Sequence, residues 1–295
     1  MSLPPSHVPG LKSAIESLLG RSAALMAASA GPPPSDCPLA LDLASASRPE
    51  SIATVVSFGD LALEYGADHL SAFAKLLSEP IEPLACFTCI RSMLEMSAIG
   101  AWVLDPAISS HERTARAFAI RFYAIDEQLK FGRCIRVEQQ KIAELEQRLL
   151  DVERDASIAG YPQLRSKKGA VVGIGRPMPN ATEMIRDVLG DEWLYRLLSA
   201  VAHGQHWAVI QLGFEDVSQQ SAPASVGSTP MKTFRKAVSV NSVALFGLHG
   251  FLAFARVLWN KSNYSGWNSA AVHSICEDTA DAIGANIDLR FWRSP

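Results

Sequence analysis

The segment LACFTCIRSMLEMSAIGAWVL, residues 84–104, has the length and apolarity of a membrane span, yet Arg91 and Glu95 sit at its centre. A charge in mid-bilayer is costly, whereas two charges one helical turn apart can pair between packed helices. The apolar stretch 243–259 is interrupted in the same way by His249 and Arg256. Both segments therefore predict central helices of a water-soluble bundle, with no membrane association.

The rest of the chain keeps a helical period. Leu61, Leu63, Tyr65, Leu70, Phe73, Leu76 and Leu77 mark one helix, stopped by Pro80 and Pro83. The next spans about Leu84 to Leu104 and ends at Asp105–Pro106. A third starts at Ser109 or Ser110 and is expected to continue to about Ala156. Ile135, Ile142 and Leu149 recur every seven residues along its charge-dense second half, with Leu145 and Val152 between them. This spacing predicts a coiled-coil-like extension, read either as a solvated helix end with one buried stripe or as a dimerising arm. Asn180 with Glu183 forms a capping-box start, Gly190 ends that short helix, and Asp191 precedes DEWLYRLLSAVAHGQHWAVIQL. Further helices are expected over about Thr233–Lys261 and Trp267–Ala285. Residues 1–50 read as an appendage of one short helix and a proline-rich linker, and 51–295 as the bundle, with loop insertions at 157–180 and 216–230. AVVGIGRPMP, in the first of these loops, has room for one short strand. It lacks the third glycine and the following helix of a dinucleotide loop. No alternating pattern of any length suggests a sheet. The fold class is all-α: an up-and-down helical bundle of about five to six core helices with a coiled-coil-like extension.

Composition narrows the function classes. With 48% hydrophobic and 19% charged residues the chain can bury a sizeable core. A net charge of −3 gives no overall attraction to nucleic acid, so RNA contact would need a local basic group. The five cysteines include one CxxC, Cys86 and Cys89, inside a helical run. Without a second pair or a βαβ setting, buried free thiols in a reducing cytoplasm are expected. The run SAALMAASA ends like a cleavage site, but Glu16 and Arg21 interrupt any apolar core before it, so no export signal is expected.

The chemistry-bearing residues are few. Arg196 and His203 lie seven residues apart, almost two turns, on one face and about 10 Å apart along the axis. Ser199 stands between them, in reach of the imidazole from four residues back. Arginine offers a permanent cation suited to phosphate, and histidine a group poised for proton transfer near neutral pH. Arg113 and Arg116 are the best phosphate candidates on the Arg-rich third helix. Its cations otherwise point all round the helix, as on a solvated face. His203 and His206, with Glu95, are the best that the chain offers a metal, but there is no Glu-x-x-His of the kind helical di-metal sites use. No metal or other cofactor is expected.

Arg196-x6-His203 on a late bundle helix, with RSMLEMSAIGAWVLDP and LYRLLSAVAHG, resembles the HEPN superfamily of helical-bundle proteins, many of them ribonucleases. The resemblance covers about residues 51–265. It implies a cytoplasmic, metal-independent endoribonuclease of a toxin–antitoxin or phage-defence system. Arg and His from two protomers of a homodimer would meet at the RNA, with an antitoxin or other protein as a further partner. Arg196, His203 and Glu95 would be catalytic, and Arg91, Ser199, His206, Arg113 and Arg116 would bind substrate. One departure is Leu197, where a polar residue commonly follows the arginine. The competing expectation is a non-catalytic helical module binding a protein or small ligand. There Arg91/Glu95, Arg196/His203 and His249/Arg256 would form one shared structural network in the core.

Overall fold

The computed structural model describes residues 7–45, 49–78, 81–216, 234–236 and 240–283. It is all-α: 78% helical, with eleven α-helices among the described residues. The helices are α1 (His7–Ala28), α2 (Pro38–Ser45), α3 (Pro49–Leu76), α4 (Pro83–Val103), α5 (Ser110–Cys134), α6 (Gln139–Ile158), α7 (Ala181–Met184), α8 (Glu192–Ala202), α9 (His206–Gly213), α10 (Val240–Ser265) and α11 (Ser269–Ile283). Two short antiparallel strand pairs interrupt them, β1 (Gln163–Arg165) with β2 (Val171–Ile174) and β3 (Phe214–Asp216) with β4 (Phe234–Lys236).

The apolar segments α4 and α10 do form the centre, packed on each other and on α3. Among the described residues they are also the two helices long and apolar enough to cross a bilayer by length and composition. Their close packing depends on Gly100. A Cβ there would lie 2.5 Å from Ala62 Cβ on α3 and 3.1 Å from Val257 Cγ1 on α10. Ala62 Cβ is fixed to its backbone, so relief would require the helices to separate. Gly100→Ala should therefore cost about 1–3 kcal/mol despite alanine's better helix propensity. Urea unfolding followed by circular dichroism measures this.

The N-terminal segment is part of this core. Leu11, Ala14, Ile15 and Leu18, at i, i+3, i+4 and i+7, are buried in one stripe, and α1 packs against α11, α3 and α10. The expected appendage thus closes one side of the bundle, because its helix has an apolar face that needs a partner.

The expected continuous third helix is two helices. Its start holds, with the Ser109 hydroxyl accepting from the Glu112 N–H. It breaks after Cys134, where Arg136 takes a left-handed φ of 56° and Val137 N–H bonds back to Gly132. The chain then reverses, and α6 folds antiparallel along α5, Arg133 reaching Glu146 at 2.8 Å. The heptad stripe is satisfied within the chain: Ile142 and Val152 are buried, and Val152 joins Phe118, Phe122, Ile125, Tyr161 and Ile174 in a satellite core. The first member, Ile135, is exposed instead. The spacing that suggested a dimerising arm is met by the hairpin.

The 157–180 insertion holds the β1–β2 hairpin, including a strand in the expected AVVGIG run. The capping box of Asn180 and Glu183 is present with both hydrogen bonds. The 216–230 insertion falls almost entirely outside the described residues, as does the expected start at Thr233. α10 begins at Val240 instead.

None of the five cysteines is in a disulfide; Cys37, Cys86 and Cys276 are buried, Cys89 is half-buried and Cys134 is exposed. Burial above all pushes the Cys86 and Cys276 thiols from the ordinary value of 9.0 to about 12. Above pH 9 the unfolded chain has lost thiol protons that the folded chain keeps. Stability therefore falls as pH rises from about 9 toward 12. A falling thermal midpoint across this range, with only Cys134 labelled rapidly by a thiol reagent in the native protein, is the expected result.

Candidate functional site

Among the described residues and bonds, the polar residues of the apolar helices form no single network. They sort into a seam between α4 and α8, an outward face of α8, and, on α10, His249 beside Asp191.

In the seam, Arg91 Nη2 lies 2.8 Å from Glu95 Oε1, one turn along α4. From α8, the Tyr195 hydroxyl donates to the same Glu95 oxygen at 2.7 Å, and the Arg91 guanidinium lies 5.7 Å from the Tyr195 ring centroid. Burial first, and then the hydrogen bond to Glu95, push the Tyr195 phenol up, so it remains the donor at neutral pH. Tyr195 was not foreseen, since its acceptor lies a hundred residues away in the chain. Glu95 contacts the residue before Arg196, and makes no hydrogen bond or ion pair with Arg196 or His203 among the described residues.

Arg196 and His203 point away from this seam. The Arg196 side chain is 67% exposed and is held by Glu192, one turn back, at 2.8 Å from both Nε and Nη2. His203 terminates α8 and is exposed. Its backbone N–H bonds to the Ser199 carbonyl at 3.0 Å, and that backbone bond is the contact between the two residues among the described bonds. Gly204, at φ 65°, then turns the chain into α9, whose first residues are the exposed His206 and Trp207. Trp207, at 55% exposed, and Trp193, at 51%, are large aromatic surfaces open to solvent near the two ends of α8.

Arg113 and Arg116, expected to contact phosphate, are engaged elsewhere. Arg113 is 3% exposed and donates from Nη1 to Asp42 at 2.8 Å and from Nη2 to the carbonyls of Asp105 and Ile108. Its guanidinium covers the Tyr264 ring at 4.6 Å, and the Tyr264 hydroxyl donates to Asp42 at 3.1 Å. Arg116, 11% exposed, is held by Glu112 and the Trp102 carbonyl and lies over the Trp102 ring, which Arg176 also approaches. Arg176 is paired with Glu112 as well. These arginines tie α5 to α2, α4 and the loop after β2. The helical period placed Arg113 and Arg116 on α5 but did not show that Asp42 would reach Arg113 from the N-terminal segment or that Glu112 and Asp105 would hold Arg116.

His203, His206 and Glu95 do not assemble. Among the described residues, no three His, Cys, Asp or Glu side chains group as a metal site. What remains is chemically simple: an exposed cation and an exposed imidazole about two turns apart on an open helix face. Arg196 borders a cavity of about 500 Å³ with Asn180, Glu183, Arg186 and Tyr195, but His203 does not line it, so one chain does not bring the two groups around a single phosphodiester.

Comparisons with protein-family models, with curated proteins and with solved structures gave no match.

Proposed function

We propose that this chain is a HEPN-like, metal-independent endoribonuclease whose chemical face is the Arg196–His203 side of α8. The observation that carries the reading is their exposure: Arg196 on α8 and His203 at its C-terminal end both have exposed side chains, while Arg91 and Glu95 are closed into a separate cluster with Tyr195. On this reading His203 takes the proton of the attacking 2′-hydroxyl as O2′ bonds to phosphorus and the 5′-oxygen leaves. The equivalent imidazole of a second copy returns a proton to that oxygen. Arg196 stabilises the charge on the phosphoryl oxygens. A two-fold dimer pairing two α8 faces would supply the walls that one chain lacks. In a cytoplasmic toxin–antitoxin or phage-defence setting, an antitoxin would cover the same face. His206 and Trp207 lie beside it as RNA contacts, whereas Glu95 and Arg91 would position α8 through Tyr195 rather than touch RNA. Arg113 and Arg116 have no part in binding.

One observation favours the second reading, a non-catalytic module. Arg196 is already bonded twice to Glu192, and the α4–α8 cluster is satisfied without substrate. The test is cleavage of a fluorogenic single-stranded RNA by purified protein in EDTA, beside the His203→Ala variant. Cleavage by the wild type that is lost in the variant is expected. No cleavage at high protein concentration, or equal cleavage by the variant, overturns the enzymatic reading.

A further inference from the structure

The α5–α6 hairpin carries six arginines, four on α5 and two on α6. Four of the six are closed by carboxylates: Arg113 by Asp42, Arg116 by Glu112, Arg133 by Glu146 and Arg154 by Asp151. The other two are not. Arg121, half-buried, makes no hydrogen bond or ion pair among the described residues. Arg148 donates to a neutral acceptor, Gln128 Oε1, at 3.4 Å and meets no carboxylate among the described residues. Both of these arginines line the same cleft, where α3 packs on the hairpin.

Helical period builds the walls. On α5, Arg121, Ala124, Ile125 and Gln128 fall at i, i+3, i+4 and i+7, one face of the helix. On α6, Arg148, Asp151 and Val152 fall at i, i+3 and i+4. Phe58 of α3 closes the remaining side. Ile125 and Val152 belong to the satellite core and Phe58 packs on the main one, so the cleft follows the seam between them. Its volume is about 310 Å³, at the lower end of the range of small-molecule sites, which often lie between packed helices. Asp151 is the one carboxylate on its lining, and it is already held: Arg154 lies 3.0 Å from it and the Gln147 amide donates to it at 3.1 Å. The charge that lacks a counter-charge in this cleft is therefore positive. A partly buried guanidinium with no acceptor contributes nothing to the fold, and its five N–H donors are left for a ligand.

We propose that this cleft binds a small organic anion, with its carboxylate or phosphate on Arg121 and its apolar body between Phe58, Ile125 and Val152. The planar fork of the guanidinium matches either head group. Arg148, exposed on the rim, adds attraction that solvent and salt screen. The apolar walls distinguish this class from inorganic anions, and the unpaired arginine distinguishes it from neutral or cationic ligands. The site is separate from the α8 face and does not depend on the ribonuclease reading.

The test follows the Ile125 methyl ¹H–¹³C resonance of the full chain, assigned with the Ile125→Val variant. The chain is titrated with phenyl phosphate and benzoate, with phosphate and acetate as the head groups alone, and with benzyl alcohol and benzylamine as bodies without negative charge. At least one aromatic anion should shift Ile125 saturably and leave Ile15 and Ile90 in place. It should bind about tenfold or more tightly than its head group alone, benzyl alcohol or benzylamine. Which anion binds better identifies the head group. Arg121→Gln should weaken binding about tenfold or more, the loss of a charge-assisted contact, and its thermal midpoint should not fall because no ion pair is broken. Arg148→Gln should weaken binding less. Ala124→Phe should block it by filling the cleft beside Arg121, and decides alone should Arg121→Gln not fold. Arg196→Gln should leave the titration unchanged. No saturable shift at millimolar ligand, equal binding of a head group alone or of an uncharged or cationic body, survival of binding in Arg121→Gln or Ala124→Phe, or its loss in Arg196→Gln overturns the proposal.

Discussion

Asp42→Ala should destabilise the protein by about 3–5 kcal/mol, the cost of leaving a buried charge without its partner. Asp42 accepts both from Arg113, 3% exposed, and from the Tyr264 hydroxyl. Without the carboxylate, Arg113 Nη2 keeps its two carbonyl acceptors, but Nη1 loses its anion and cannot reach water. Asp42→Asn retains an acceptor of the same shape and should lose less. Tyr264→Phe removes one hydrogen bond, worth about 1 kcal/mol. Replacing both charges, Asp42→Ala with Arg113→Met, should be less damaging than Asp42→Ala alone, since no unpaired guanidinium remains. Urea unfolding of the four variants by circular dichroism gives these differences. A loss under 1 kcal/mol for Asp42→Ala would show that the pair is hydrated and not structural.

His203→Ala should lower RNA cleavage by about 10²–10⁴-fold, the usual contribution of a positioned general acid or base. Its thermal midpoint should barely move, because the His203 side chain is exposed and the residue caps α8 through its backbone N–H, which alanine keeps. Arg196→Lys should fall between wild type and Arg196→Ala, since lysine keeps the charge but not the planar fork that grips phosphate. Glu95→Gln acts differently. It weakens the contacts to Arg91 and Tyr195 that hold α8 on α4, so stability should fall together with any activity. The enzymatic reading fails if His203→Ala and Glu95→Gln behave alike, losing activity only in proportion to folded protein.

Much of the architecture was legible in the chain because it depends on local periodicity. The segment 84–104 announced a core helix through its apolarity and its Arg91/Glu95 spacing. Ser109 and the Asn180/Glu183 box marked helix starts through side chains bonding backbone three residues on. Such signals reach no further than a turn or two of helix. The hairpin of α5 and α6 was missed because the Ile142–Val152 stripe reads identically whether its partner is another chain or the preceding helix. The N-terminal helix reads as an appendage because a proline-rich linker follows it, although its buried stripe of Leu11, Ala14, Ile15 and Leu18 is as regular as any other.

The candidate site divides on the same line. Sequence by itself determined that α4, α8 and α10 would be helices and that each would carry a polar pair, since charge and period are properties of neighbouring residues. Only the tertiary structure decided where those pairs point and what meets them. Glu95 meets Tyr195, Arg113 meets Asp42, and His249 meets Asp191, while Arg196 and His203 face outward. Each of those three partners comes from a different helix or helix end, many residues away in the chain. Their choice follows from how the helices pack: a half-buried charge takes the acceptor or donor that packing brings within about 3 Å, because leaving it unpaired costs more than any local preference.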